Sequence, residues 1–238
     1  MKYVLIHGAW HRGELFEAVA APIRNAGHEV LLPTLYGNGV DDPRDVGLES
    51  VISKMVTYFE SNDISDAVVV GHSYAGMILT GLADRIPNRI RRLVYWNAFV
   101  PNDGDSLNDL VPPHYVEMFN SLVEEDGGVS LPFPVWREAF INDADLDLAK
   151  SAFEQLLPHP YQTFAEPISL QRPLAEIDVP KSYVNCTEDT ALPHSFPWHP
   201  RLSERLGLFR LIQTPGSHEL CFTDPEKLAD AILRAGRD

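Results

Sequence analysis

Short apolar runs alternate with helix-patterned segments at both ends of this chain, and that alternation restricts its fold more than any other feature. "KYVLI" (residues 2–6) is apolar and closed by Gly8, so it reads as a buried strand. Residues 15–26 are helix-compatible, with Pro22 as the flaw and Gly27 as the stop. "HEVLLP" (28–33) reads as the next strand, and the turn-rich "TLYGNGVDDPRD" as a loop. Val51, Ile52, Met55, Val56 and Phe59 recur at helical spacing. "DAVVVG", "YAGMILTGLADRIP" and "RIRRLVYWNA" then read as strand, helix and strand. Near the other end, "KSYVNC" is strand, "RLSERLG" a short helix and "LFRLIQT" strand. "DPEKLADAILRAG" is a helix capped by Asp224, with Pro225 in its first turn. Strands joined through helices predict an α/β fold, a mostly parallel sheet flanked by helices on both faces. Sites in such sheets form beyond the C-terminal ends of the strands.

Between the two ends the rhythm changes. Residues 101–180 carry "VPPHYVEMF", "LPFPVWREAF" and "LLPHPYQTFAEP", rich in proline and aromatics and without β-α alternation. This stretch reads as an inserted, mainly helical cap. Residues 1–100 and 181–238 form the core, with the whole as one structural domain. At 45% hydrophobic and 22% charged residues, the chain can bury a sizeable core. A net charge of −15, without any Lys/Arg-rich run, disfavours nucleic-acid backbones and anionic membranes as partners. Cys186 and Cys221 form no C-x-x-C pair and read as small buried hydrophobes. The N-terminal apolar run is too short for a signal peptide, so a cytoplasmic location is expected.

The residues after each strand carry the chemistry. "HGAWHRG" follows the first, "GHSYAG" the third, "TEDTALP" the one ending at Cys186, and "PGSHEL" the last. One sheet edge thus gathers Ser73, a carboxylate from the Glu188–Asp189 pair, and His218, in the chain order of a nucleophile–acid–base triad. A serine hydroxyl needs a neighbouring base, imidazole titrates near neutrality, and a carboxylate behind it fixes the tautomer. The oxyanion of acyl transfer needs preorganised N–H donors, expected from the backbones of Tyr74 and Ala9. No histidine has metal-ligand spacing, so neither metal nor cofactor is expected.

"VLIHGAW", "GHEV", "VVVGHSYAGM", "CTEDTALP" and "GSHEL" resemble the α/β-hydrolase superfamily. More narrowly, they resemble the branch of plant methyl esterases, hydroxynitrile lyases and small bacterial esterases. "GNGVDDPRD" and, weakly, "LPHPYQTFAEPISL" extend the likeness. The resemblance implies a serine hydrolase that cleaves a small to medium carboxylic ester through an acyl-enzyme. It assigns the triad acid to Asp189, with Glu188 a solvated loop residue. Three positions depart from the pattern. Ala75 replaces the second glycine of the G-x-S-x-G elbow, Arg12 replaces a glycine of the loop after the first strand, and Glu219 stands where the lyases carry lysine. The last favours hydrolysis over cyanohydrin cleavage. A cofactor-free oxygenase on the same frame and a triad-bearing ligand receptor are the alternatives. His72 reads as a packing and hydrogen-bonding residue. Trp10, His11, Trp136 and Phe140 are the candidate substrate contacts. Trp136 and Phe140, with Phe119 and Trp198, suit a pocket wall or the cap's own core, and the core is the favoured reading. The expected partner is a small ester, with a homodimer left open.

Overall fold

The structure, a computed structural model, describes residues 1–238. Eight strands occur in chain order: β1 (Lys2–Ile6), β2 (Glu29–Leu31), β3 (Ala67–His72), β4 (Ile90–Trp96), β5 (Gly128–Val129), β6 (His159–Pro160), β7 (Lys181–Cys186) and β8 (Arg210–Thr214). Six of them build one sheet in the order β2-β1-β3-β4-β7-β8, and every neighbouring pair is parallel. The chain starts at β1, steps outward to β2, then returns past β1 to β3 and grows the other way. The strand order therefore reverses between β1 and β3, which opens a crevice beyond their C-terminal ends.

Side-chain alternation sorts the strands onto two cores. Val4, Ile6, Val69, Leu93, Tyr95 and Tyr183 join the larger core, which also takes in helices α2 (Leu48–Ser61) and α3 (Ala75–Arg85). Tyr3, Leu5, Val68, Val70, Val94 and Val184 face the smaller one, covered by helix α1 (Glu17–Asn25) and the C-terminal helix Pro225–Gly236. All six residues of β3 are buried, as expected of a strand covered on both faces.

Some local expectations change. The second strand keeps only Glu29–Leu31, because this edge strand pairs with Lys2–Val4 alone and Pro33 has no N–H to give. Helix α1 runs through Pro22 to Asn25, preceded by a 3-10 turn at Gly13–Phe16. "SERL" within the predicted short helix is likewise a 3-10 turn, Ser203–Leu206. The chain leaves the sheet after Trp96 and re-enters it at Lys181. Between them lie helices such as Pro113–Leu122 and Leu146–Phe153, and also the small antiparallel β5-β6 ribbon that periodicity did not reveal. No helix is long and apolar enough to cross a membrane.

The packing between α3 and the segment just after β4 has no slack at Gly76. A Cβ there would lie 1.9 Å from the Phe99 carbonyl oxygen. Three histidines are buried in this framework and held neutral. Burial pulls His7 down to about 3 and holds His72 and His159 well below the usual imidazole value. His7 illustrates the neutral tautomer: Nδ1–H donates to the Gly8 carbonyl at 2.8 Å while Nε2 accepts the Leu35 N–H at 2.9 Å.

Gly76→Ala should cost about 2 kcal/mol of unfolding free energy through overpacking, read from urea denaturation; an unchanged midpoint would refute this packing. The three neutral histidines have folded-state pKa values below their unfolded ones. Their contribution is therefore complete above the unfolded value and is lost as pH falls. Stability should therefore fall progressively as pH drops below the unfolded imidazole value of about 6.5, and a flat profile there would show that these rings protonate in the folded state.

Candidate active site

Ser73 sits between the end of β3 and the start of α3 with φ +53°, a left-handed conformation uncommon for a residue with a side chain. Three backbone bonds hold it: its N–H donates to the Trp96 carbonyl at 3.2 Å, and its carbonyl accepts the N–H groups of Gly76 at 3.0 Å and Phe99 at 3.1 Å. The fit also depends on Gly8, where a Cβ would come within 2.9 Å of His72 Nδ1 and 3.2 Å of Ser73 Cβ. Ala75 is fully buried and accommodated, because the tight backbone approach in α3 falls one residue later, at Gly76.

His218 lies in the loop after β8, and its Nδ1 is 2.6 Å from Asp189 Oδ2. Nδ1–H donates to the carboxylate, which leaves Nε2 of a neutral ring as an acceptor. Asp189 is fixed in turn. Its Oδ1 accepts the Ala191 N–H at 2.8 Å and its Oδ2 accepts the Asn97 side-chain amide. Asn97 itself accepts the Cys186 N–H at 2.6 Å, so it ties the carboxylate to the ends of β4 and β7. Sequence reasoning passed over Asn97; the available signal was a lone polar residue just past an apolar strand. Glu188 is exposed, and the carboxylate paired with His218 is that of Asp189. His72 Nε2–H donates to the His218 carbonyl at 3.1 Å, and its ring stacks on Trp96 at 3.8 Å.

Aromatic rings confine the imidazole of His218. Trp198 stacks against it at 5.1 Å with 17° between planes, and Phe140 meets it edge-on at 5.3 Å. Phe140 is delivered by a π-turn, Trp136–Phe140, closed by the Ile141 N–H on the Trp136 carbonyl at 3.0 Å.

Ser73 and His218 open into one cavity of about 380 Å³, part of it exposed to solvent. Thirteen of the 15 lining residues are hydrophobic, and the other two are Ser73 and His218 themselves. Ala9, Trp10, Tyr74 and Phe140 line it, and so do Phe119 and Phe164 from the segment between β4 and β7. The amides of Ala9 and Tyr74 donate no hydrogen bond within the chain, and both residues line the same cavity as the serine. His11 and Trp136 do not line the cavity. His11 is buried against Glu219, and Trp136 is enclosed in the cap, its indole N–H donating to the Ala149 carbonyl at 2.9 Å. Arg12 is also remote, pairing with Glu14 and with the Gln155 carbonyl at 3.2 Å. Of the aromatic residues that suited either role, Phe119, Phe140 and Trp198 form wall and Trp136 forms core.

The chain matches the alpha/beta hydrolase family over residues 3–231. It is 31% identical to a carbendazim hydrolyzing esterase of Nocardioides sp. (strain SG-4G), covering 98% of this chain and 99% of that one. It is 25% identical to salicylic acid-binding protein 2 of Nicotiana tabacum, over 97% of this chain and 95% of that one. Among solved structures, it superposes on an extracellular alpha/beta-hydrolase from a Paenibacillus species, described as sharing structural and functional homology with the tobacco protein. That match has a TM-score of 0.96 at 34% identity and covers 100% of both chains. With its family match spanning nearly the whole sequence, the chain belongs to the alpha/beta hydrolase family and is a hydrolase of that type, with esterases among its relatives.

Proposed function

We propose that this hydrolase cleaves neutral, apolar carboxylic esters of small to medium size through an acyl-enzyme on Ser73. The observation that carries the reading is the 2.6 Å His218–Asp189 bond behind a cavity shared by His218 and Ser73. Ser73 Oγ attacks the ester carbonyl as His218 Nε2 takes its proton. The imidazolium that forms is stabilised by Asp189, and the tetrahedral oxyanion rests on the free N–H groups of Ala9 and Tyr74. His218 then protonates the departing alcohol, and water repeats the sequence to release the acid.

The cavity wall supports a neutral substrate. No carboxylate, lysine or arginine lines it, so a charged substrate would lose water there without gaining a partner. An alpha-hydroxynitrile lyase of Arabidopsis thaliana is 25% identical to this chain, but the 31% identical carbendazim hydrolyzing esterase supports esters over cyanohydrins, and so does position 219, where a carboxylate engaged by His11 stands in place of the lyases' lysine. A reducing, cytoplasmic setting is supported by the two buried free thiols, Cys186 and Cys221.

With a short-chain p-nitrophenyl ester, Ser73→Ala should lower kcat by at least about 10³-fold and Asp189→Asn by a comparable factor, whereas Glu188→Gln should stay within about twofold. Retained turnover in Ser73→Ala, with loss on removing Asp189, would instead favour chemistry on the His–Asp pair alone.

A further inference from the structure

We propose that His11 and Glu219 form a charged brace between the oxyanion loop and the loop of the general base, and that this brace positions the Ala9 N–H for catalysis. The proposal rests on the acyl-transfer reading above and assigns positioning roles to two residues that do not touch the cavity.

The geometry is specific. Glu219 directly follows His218, and its Oε2 lies 3.0 Å from His11 Nε2. The other nitrogen of the same ring, Nδ1, lies 2.6 Å from the Ala9 carbonyl oxygen. A carbonyl and a carboxylate both accept, so a ring serving both as donor carries two N–H groups and is an imidazolium. Both side chains are only 1% exposed, so water cannot substitute for either partner.

The brace acts on the peptide units that flank Ala9. The Ala9 N–H belongs to the Gly8–Ala9 peptide, whose carbonyl accepts His7 Nδ1–H at 2.8 Å. The next peptide presents the Ala9 carbonyl to His11, just before Trp10 turns the chain at φ +65°. Two histidines thus fix both planes on either side of Ala9, which lines the cavity with Ser73. Glu219 is anchored independently, its N–H donating to the Phe140 carbonyl at 3.2 Å and to Ser217 Oγ at 3.2 Å. The pair therefore connects the loop after β1, the loop after β8 and the π-turn that carries Phe140.

The surroundings favour the charged form of His11. Burial opposes it, but the Glu219 carboxylate and the hydrogen bonds outweigh burial and hold the ring above its ordinary value. On its own segment, the Arg12 guanidinium opposes the charge, while His7 is neutral. From the end of β3 it faces the neutral His72, whose ring centre is 5.9 Å away. From the Glu219 segment it faces Phe222 and, beyond the carboxylate, Cys221, whose thiol burial keeps protonated and 3.5 Å from Glu219 Oε2. Phe16 and Trp136 complete the enclosure and carry no charge.

Glu219→Gln tests the charge while preserving shape. Kinetics are normalised to active sites titrated with a serine-reactive phosphonate, so misfolded protein does not count. The expected result is a kcat about 10- to 100-fold lower per titrated site with KM within about twofold. Affinity for a tetrahedral boronic acid analogue should fall in parallel with kcat, and Glu219→Asp should restore part of both. A merely structural pair would lower the melting temperature and leave kcat per titrated site intact, which overturns the proposal. Imidazole ¹⁵N NMR of the wild type needs no substitution to fold: one histidine should show both nitrogens protonated at about pH 7, and its absence also overturns the proposal. If turnover survives Ser73→Ala, the acyl-transfer reading falls and the brace with it. If turnover needs Ser73 while Glu219→Gln titrates at full kcat, only the brace falls.

Discussion

The reversal of the chain at Ser73 is the constraint on which the site depends. A non-glycine residue at φ +53° costs on the order of 1–3 kcal/mol and persists only where its surroundings leave it no alternative. Here a fully buried strand delivers it, three backbone hydrogen bonds clasp it, and two close glycine contacts leave no room for another path. The same reversal fixes the Tyr74 N–H beside the serine. It also sets the entry of α3, and so the larger core, against β4. Stability and chemistry share one local geometry.

Around that point the site is assembled from strand ends. β1 supplies Ala9 and Trp10, β3 supplies Ser73 and Tyr74, β4 supplies Asn97, β7 supplies Asp189 and β8 supplies His218. Because adjacent parallel strands end in register, groups distant in sequence meet without long loops. The pairing Ile6↔Gly71 is the clearest case, since it brings the loops after β1 and β3 side by side. The cap then closes the apolar wall through Phe119, Phe140 and Phe164. The crevice thereby gains an almost wholly apolar lining around Ser73 and His218.

The sequence was most legible where physics is local. Strand-length apolar runs, helical spacing in 48–61, and the placement of Ser73, the 188–189 carboxylates and His218 just past strands all follow from short-range patterns. Contacts between distant segments left weaker traces. Trp136 and Phe140 lie in one aromatic stretch with no periodic signal to tell wall from core, and only packing separates them. His11 looked like a substrate contact because it is polar and close to the oxyanion loop, yet its partner lies 208 residues away. Glu219 was notable in sequence chiefly for not being lysine. Asn97 followed the same strand-end logic as the triad and was still missed, since an amide carries no chemistry of its own and matters only through the carboxylate it holds.

The central claim is that Ser73 becomes covalently acylated in a pocket built to favour that step. The most direct measurement is intact-mass and peptide analysis after reaction with a short-chain p-nitrophenyl phosphonate, a mimic of the tetrahedral species. The account predicts one adduct per chain, on the peptide that contains Ser73, with simultaneous loss of ester hydrolysis. An unlabelled protein that still hydrolyses esters, or an adduct on another residue, would contradict it.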